Sequence, residues 1–213
     1  MNEHELRAQL ITTARAMNAR CLNRGTAGNL SARHGEGFLI TPTGMAYDEL
    51  VPADIVVMDL DGSRRGARKP SSEWRFHRDL YAARPEAGAV LHAHAPFATA
   101  LACLGRDIPP FHYMIARFGG GTLRCAAYAT FGTQELSDHA LRALEGRCAC
   151  LLANHGLLVF GRDLSHALDL AVEAEALCEQ YWRASTLGRP PLLDDAEMQR
   201  VLEKFAGYGQ QED

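Results

Sequence analysis

The chain of 213 residues is long enough for one domain of ordinary size, whose core needs no disulfide or metal staple. Its 47% hydrophobic and 23% charged content excludes a disordered or collagen-like chain, and a formal charge of −4 argues against a nucleic-acid partner. No apolar run reaches the roughly 18 residues of a membrane span, and Met1 to Glu5 lacks the basic-then-apolar pattern of a secretory signal, so a cytoplasmic protein without membrane contact is expected.

Leu6, Leu10, Ile11, Ala14 and Met17 recur at helical spacing, which predicts an amphipathic helix from about Glu5 to Leu22, broken by Gly25 and Gly28. Asn29–Arg33 and Phe38–Thr41 read as strands around a hairpin-like turn, and Thr41-Pro42-Thr43-Gly44 as a further turn. Ile55–Met58 is a β-branched run closed by Asp61-Gly62. The next stretch carries Arg64, Arg65, Arg68 and Lys69, and against the acidic overall charge it reads as a solvated loop rather than a nucleic-acid patch. Trp74–Arg84 reads as a helix, Ala89–Ala93 as a strand, and Pro96 as the first residue of another helix. Thr133 caps a helix running to about Leu144, with Gly146 stopping it. Cys148–Ala153 and Leu157–Phe160 are strands on either side of Asn154-His155-Gly156. A long helix marked by Ala167, Leu168, Ala171, Ala174, Leu177, Tyr181 and Trp182 ends before Gly188, and a last helix spans about Asp195 to Phe205.

No repeat or linker divides the chain, so residues 1–213 read as a single domain. Strands and helices intermix without a regular βαβ beat. The expected class is therefore α/β, with a central, largely antiparallel sheet flanked by helices on both faces. The six cysteines form no Cys-x-x-Cys and read as free thiols. Cys148 and Cys150 alternate as residues of a strand face do, which competes with a metal role for the pair.

The strongest chemical signal is Leu91-His92-Ala93-His94. Residues at i and i+2 share a strand face, so two imidazoles project side by side toward one ion. Catalytic zinc sites use three protein ligands and keep one position open, and His155 is the third candidate. Spacing favours the metal reading for His92 and His94 over that of exposed strand residues, whereas His155 alone reads first as an ordinary turn residue. His34, His77, His112, His139 and His166 have no partner at ligand spacing and read as surface or satisfied core residues. Ser71-Ser72-Glu73 precedes a helix, where hydroxyls and backbone N–H groups can face an anion; a capped helix with a first-turn carboxylate explains it as well. Gly28-Asn29 and Thr43-Gly44 are turns first, and gain meaning only if they converge with the serines on one anion. Lys69 and Lys204 are the only lysines, which disfavours Schiff-base chemistry.

Seven blocks occur together and in order: Asn23–Asn29, Ile40–Gly44, Ser71–His77, His92-x-His94, Ile108-Pro109 with His112–Met114, Tyr128–Thr133, and His155-Gly156. On these the chain resembles the class II aldolase/adducin family over nearly its whole length. The resemblance implies a homotetramer with active sites at subunit boundaries. It implies Zn2+ on His92, His94 and His155, with Mn2+ or Co2+ as substitutes and Glu73 as a fourth ligand when substrate is absent. It places a phosphate site on Gly28, Asn29, Thr43, Gly44, Ser71 and Ser72, and proton transfer on Glu73 and on Tyr113 of a neighbouring subunit. Phe131, Phe205 and Tyr208 would wall the aldehyde end.

The implied reaction is metal-dependent cleavage of an L-fuculose 1-phosphate-like ketose 1-phosphate to dihydroxyacetone phosphate and an aldehyde, through an enediolate. The alternatives are 5-deoxy- or 5-methylthio-pentulose 1-phosphates of nucleoside salvage, and a sugar-phosphate 4-epimerase. Glu73, where the epimerase branch resembles Asp, favours the aldolase. Asn154, Arg117-Phe118 and the residues after Tyr208 depart from close relatives and leave the aldehyde open.

Overall fold

Sheet order differs from chain order, and the difference brings distant residues together. The computed structural model describes residues 2–207; Tyr208 lies outside the described residues. Eight strands, β1 (Asn29–His34), β2 (Gly37–Ile40), β3 (Val56–Met58), β4 (Arg64–Arg65), β5 (Ala89–Ala93), β6 (Cys125–Ala126), β7 (Ala149–Leu152) and β8 (Gly156–Gly161), form one sheet in the order β4-β3-β2-β1-β5-β8-β7-β6. Every neighbouring pair is antiparallel except β6 with β7. The expected largely antiparallel sheet is present.

Its central strands are buried on both faces, and alternate residues feed two apolar layers. Leu30, Leu39, Leu91, Leu151, Leu157 and Val159 pack on one side with α1 (Glu3–Ala19), α3 (Pro96–Ala102) and α5 (Leu164–Leu187). Phe38, Ile40, Val90, Cys150, Leu158 and Phe160 pack on the other with α2 (Trp74–Ala83) and α4 (Gln134–Ala143). The helix α6 (Asp195–Ala206) places Met198 in the first layer.

Local chemistry sets the helix ends. Asn2 accepts from the Glu5 N–H while Glu5 accepts from that of Asn2, a capping box that starts α1 earlier than expected. The helix also stops sooner, because Cys21 turns left-handed (φ 60°) and folds Leu22 back into the core. Thr133 caps α4 by accepting from the Leu136 N–H, and Pro96 opens α3, both as expected. The basic stretch forms the edge strand β4 and pairs with nearby acids, Arg65 with Asp59 at 3.3 Å and Arg68 with Asp54 at 2.8 Å. It is an exposed edge, as the solvated reading required. No helix among the described residues is long and apolar enough to cross a membrane.

Candidate metal centre

Strand β5 runs beside β1 and β8, with His92 opposite Asn29 on one side and Leu158 on the other. Side-chain alternation sends His92 and His94 to the α2 face. His155 reaches the same place from the tight turn between β7 and β8. Asn154 takes the left-handed conformation there (φ 54°), which Asn tolerates better than most residues. Gly156 lets the turn close onto β5, since a Cβ at that position would lie 2.5 Å from the Ala93 carbonyl oxygen. The three rings end with centroids 4.7–5.1 Å apart, and one nitrogen of each lies within 4.8 Å of the others. His92 is fully buried, His155 half-buried and His94 exposed, so the cluster opens toward solvent on the His94 side.

Glu73 stands at the N-cap of α2 yet makes no capping bond with its side chain. The capped-helix reading fails on this point. Its own N–H donates to Ser71 Oγ at 3.3 Å, and the carboxylate turns inward. Oε2 accepts from Asn29 Nδ2 at 3.0 Å and lies 3.3 Å from His92 Nε2; Oε1 lies 3.2 Å from His155 Nε2. Burial pushes the Glu73 carboxyl up, against the pull of His155 and the Asn29 hydrogen bond. Burial, reinforced by His94, pushes His92 down to about 3; burial, reinforced by His92, pushes His155 down to about 4.

Both rings are therefore neutral near pH 7. His92 Nδ1 lies 2.9 Å from the Leu157 carbonyl oxygen and donates to it, which leaves the Nε2 lone pair facing the carboxylate. Electron pairs meet electron pairs across this gap. His92 Nε2 and Glu73 Oε1 are both buried without a hydrogen-bond partner. A cation between them satisfies both, and three imidazoles with a carboxylate are a donor set for a divalent metal ion. His92, His94 and His155 form a metal-binding cluster.

The three turns flagged in the sequence converge beside it. A bridge between Pro42 and Pro70 sets Thr43-Gly44 against Ser71-Ser72, and the Ser71 N–H donates to the Thr41 carbonyl at 3.0 Å. Thr41 Oγ1 in turn accepts from the Leu30 N–H, which ties in Gly28-Asn29. Gly28 (φ 74°) lies so close to β5 that a Cβ would sit 2.6 Å from the His92 carbonyl oxygen. Thr43, Gly44 and Ser72 are exposed, whereas the Asn29 side chain is taken up by Glu73 and His77.

Gly132 packs on the Ser72 backbone and leaves Phe131 beside these turns with 65% of its surface exposed. Tyr113 stands apart from the cluster, half exposed on a 3-10 turn over Tyr113–Phe118, with its ring stacked on His112 and Phe205. Asn23, named in the sequence only as part of a block, accepts from the His94 N–H at 2.8 Å and fixes the end of β5.

A model of the class II aldolase and adducin N-terminal domain matches residues 8–182. The chain belongs to the class II aldolase/adducin family. Among relatives in this family, a 5-methylthioribulose-1-phosphate/5-deoxyribulose-1-phosphate aldolase of Rhodospirillum rubrum is 60% identical over 96% of this chain and 92% of its own. An L-fuculose phosphate aldolase of Escherichia coli K12 is 48% identical over 98% of each chain. A solved L-fuculose 1-phosphate aldolase superposes with a TM-score of 0.93 at 41% identity, over 97% of this chain and 98% of that one. The family assignment and the histidine cluster together support metal-dependent aldolase chemistry.

Proposed function

We propose that this class II aldolase family member is a zinc enzyme that cleaves a ketose 1-phosphate with an apolar C5 end, a 5-deoxy- or 5-methylthio-pentulose 1-phosphate, to dihydroxyacetone phosphate and an aldehyde. The observation that carries the chemistry is the buried Glu73 carboxylate set against His92 and His155 with one oxygen unsatisfied. The relative at 60% identity supports the choice of substrate, and so does the exposed Phe131 ring beside the phosphate turns. The relatives at 48% identity support a second reading, L-fuculose 1-phosphate.

A divalent ion on the three histidines supplies Lewis-acid stabilisation of the charge that develops on the substrate oxygens. The Gly28-Asn29, Thr43-Gly44 and Ser71-Ser72 turns seat the phosphate with backbone N–H groups and hydroxyls, at the N-terminal end of α2. Breaking C3–C4 leaves a carbanion equivalent, the enediolate, and Glu73, entering the cleavage as the carboxylic acid that its burial favours, delivers its proton to that carbon and is left as the carboxylate. Tyr113 of a neighbouring subunit, entering as the phenolate, accepts the C4 hydroxyl proton and ends as the phenol, and microscopic reversibility exchanges both roles in synthesis.

The test is a panel of 5-hydroxy, 5-deoxy and 5-methylthio ketose 1-phosphates given to the zinc-loaded protein, with release of dihydroxyacetone phosphate measured for each. Highest kcat/KM on the 5-deoxy or 5-methylthio compounds is expected. Preference for L-fuculose 1-phosphate establishes the second reading, and epimerisation without release overturns both.

A further inference from the structure

Behind the Glu73 carboxylate, a row of polar side chains crosses the otherwise apolar layer between the sheet and α2. Asn29 Nδ2 donates to Glu73 Oε2 at 3.0 Å, and Asn29 Oδ1 lies 2.6 Å from His77 Nε2. His77 Nδ1 lies 2.7 Å from Ser31 Oγ, which lies 2.8 Å from the Tyr81 hydroxyl. Asn29, Ser31, His77 and Tyr81 are all buried, His77 completely. Asn29 and Ser31 are i and i+2 on β1, while His77 and Tyr81 are i and i+4 on α2, so both periodicities aim polar groups at one seam.

The direction of every bond follows from one end. Glu73 Oε2 accepts from Asn29 Nδ2, so Asn29 turns its NH2 to Glu73 and its carbonyl to His77. A carbonyl also only accepts, so His77 carries its proton on Nε2. Burial, with a contribution from His92, holds the His77 ring well below its usual pKa, and a neutral ring leaves Nδ1 as an acceptor. Ser31 then donates to His77, and Tyr81 donates to Ser31. An Asn29 amide turned over would set its carbonyl against the carboxylate instead.

We infer that His77 is a positioning residue: its Nε2–H locks the Asn29 amide in the one orientation that gives Glu73 a donor, and so holds the carboxylate aimed at the histidine cluster. The consequence for turnover rests on the aldolase reading above; the orientation itself does not. Neither His77 nor Ser31 hydrogen-bonds to a histidine of the cluster, and their part is to remove the second orientation of the amide.

Two measurements on the zinc-loaded protein test this. Long-range 15N–1H NMR of the histidine rings reads the protonated nitrogen directly, and His77 is expected neutral with hydrogen on Nε2. A proton on Nδ1, or on both nitrogens, overturns the inference whatever the enzyme does. The second measurement compares His77→Gln, whose amide reaches the place of Nε2, with His77→Asn, which stops at the place of Nδ1. Both lose the ring and its stacking on Phe76, so a merely structural role costs them alike.

Exchange of the dihydroxyacetone phosphate carbon-bound proton with solvent is the readout. His77→Asn is expected to lower its kcat by about 10- to 100-fold with KM and zinc content kept, as loss of an outer-shell partner does, while His77→Gln retains most of the rate. Equal rates in the two variants, or losses that follow Tm alone, overturn the positioning role. Absence of exchange in the unsubstituted protein instead defeats the aldolase reading and leaves the NMR result to decide the orientation.

Discussion

Replacing Glu73 by Gln changes one oxygen for an NH2 group and little else in shape. In the folded chain the amide can sit without a clash: its oxygen accepts from Asn29 Nδ2, and its NH2 faces His155 Nε2, which accepts in the neutral tautomer that carries its proton on Nδ1. The fold exchanges a hydrogen bond to a charged group, worth about 1.5–3 kcal/mol, for a neutral one worth about 0.5–1.5 kcal/mol. It also escapes the cost of keeping a carboxylate that is only 7% exposed. These effects oppose each other, so Tm should move by only a few degrees. Catalysis has no such compensation. A group that transfers the proton in the rate-limiting step contributes about 10²–10⁴-fold, or roughly 2.7–5.5 kcal/mol of barrier. The assay is deuterium exchange into dihydroxyacetone phosphate followed by NMR, with metal content measured on the same sample. Exchange at the unsubstituted rate in a metal-loaded Glu73→Gln protein would refute proton transfer by Glu73 and reduce it to a ligand.

Metal removal should abolish activity and leave far-ultraviolet circular dichroism nearly unchanged, with recovery on adding Zn2+; His92→Ala should fail to recover, because the buried member of the cluster is gone. Gly28→Ala should lose about 1–3 kcal/mol of stability, since φ of 74° strains any side chain and the new methyl meets the His92 carbonyl, and urea denaturation checks it. Mixing inactive Tyr113→Phe and Glu73→Gln chains should restore part of the activity if the site is shared between subunits, and no recovery after verified subunit exchange counts against sharing. The Val51 N–H, then the Arg68 guanidinium, hold the Asp54 carboxyl below the usual carboxylate range. A depressed acid stabilises the fold above its unfolded pKa of about 3.9 and loses that contribution as pH falls through the folded value. Asp54→Asn should therefore lower Tm at neutral pH, and the two proteins should converge in strong acid.

His92 and His94 were legible because strand alternation is a local rule that needs no knowledge of the fold. His155 was only a weak candidate at an Asn-His-Gly turn: its approach depends on a left-handed Asn154 and on Gly156 meeting Ala93, and the family resemblance was needed to single it out. Glu73 was read correctly as a helix-start residue, but the hydrogen bond from Asn29 and the cation site it forms with two imidazoles take its carboxylate away from capping, and no local pattern encodes that. The two-residue strands β4 and β6 escaped notice because pairing with a neighbour, not residue type, makes them strands. His77 was placed among satisfied core or surface residues. It is a core residue, and its partners lie on β1, far away in sequence. The long amphipathic helices and central strands were found because their periodic faces already state what they bury.

The strand order carries a consequence for biosynthesis. The centre needs β1, β5 and β8 side by side, yet they are separated in the chain by the β2–β4 hairpins and by everything between β5 and β8. Such non-local pairing gives a high contact order, and loop closure must precede the contacts that reward it. A ribosome that has released the chain only through β5 has presented His92 and His94 as a loose pair on an unpaired strand edge, while the third imidazole is still to be made. Full metal capture must then wait for β8 to insert beside β5, so loading belongs to the end of folding. A nascent chain halted before Gly156 is expected to exchange its metal freely, and one released past Gly161 to retain it.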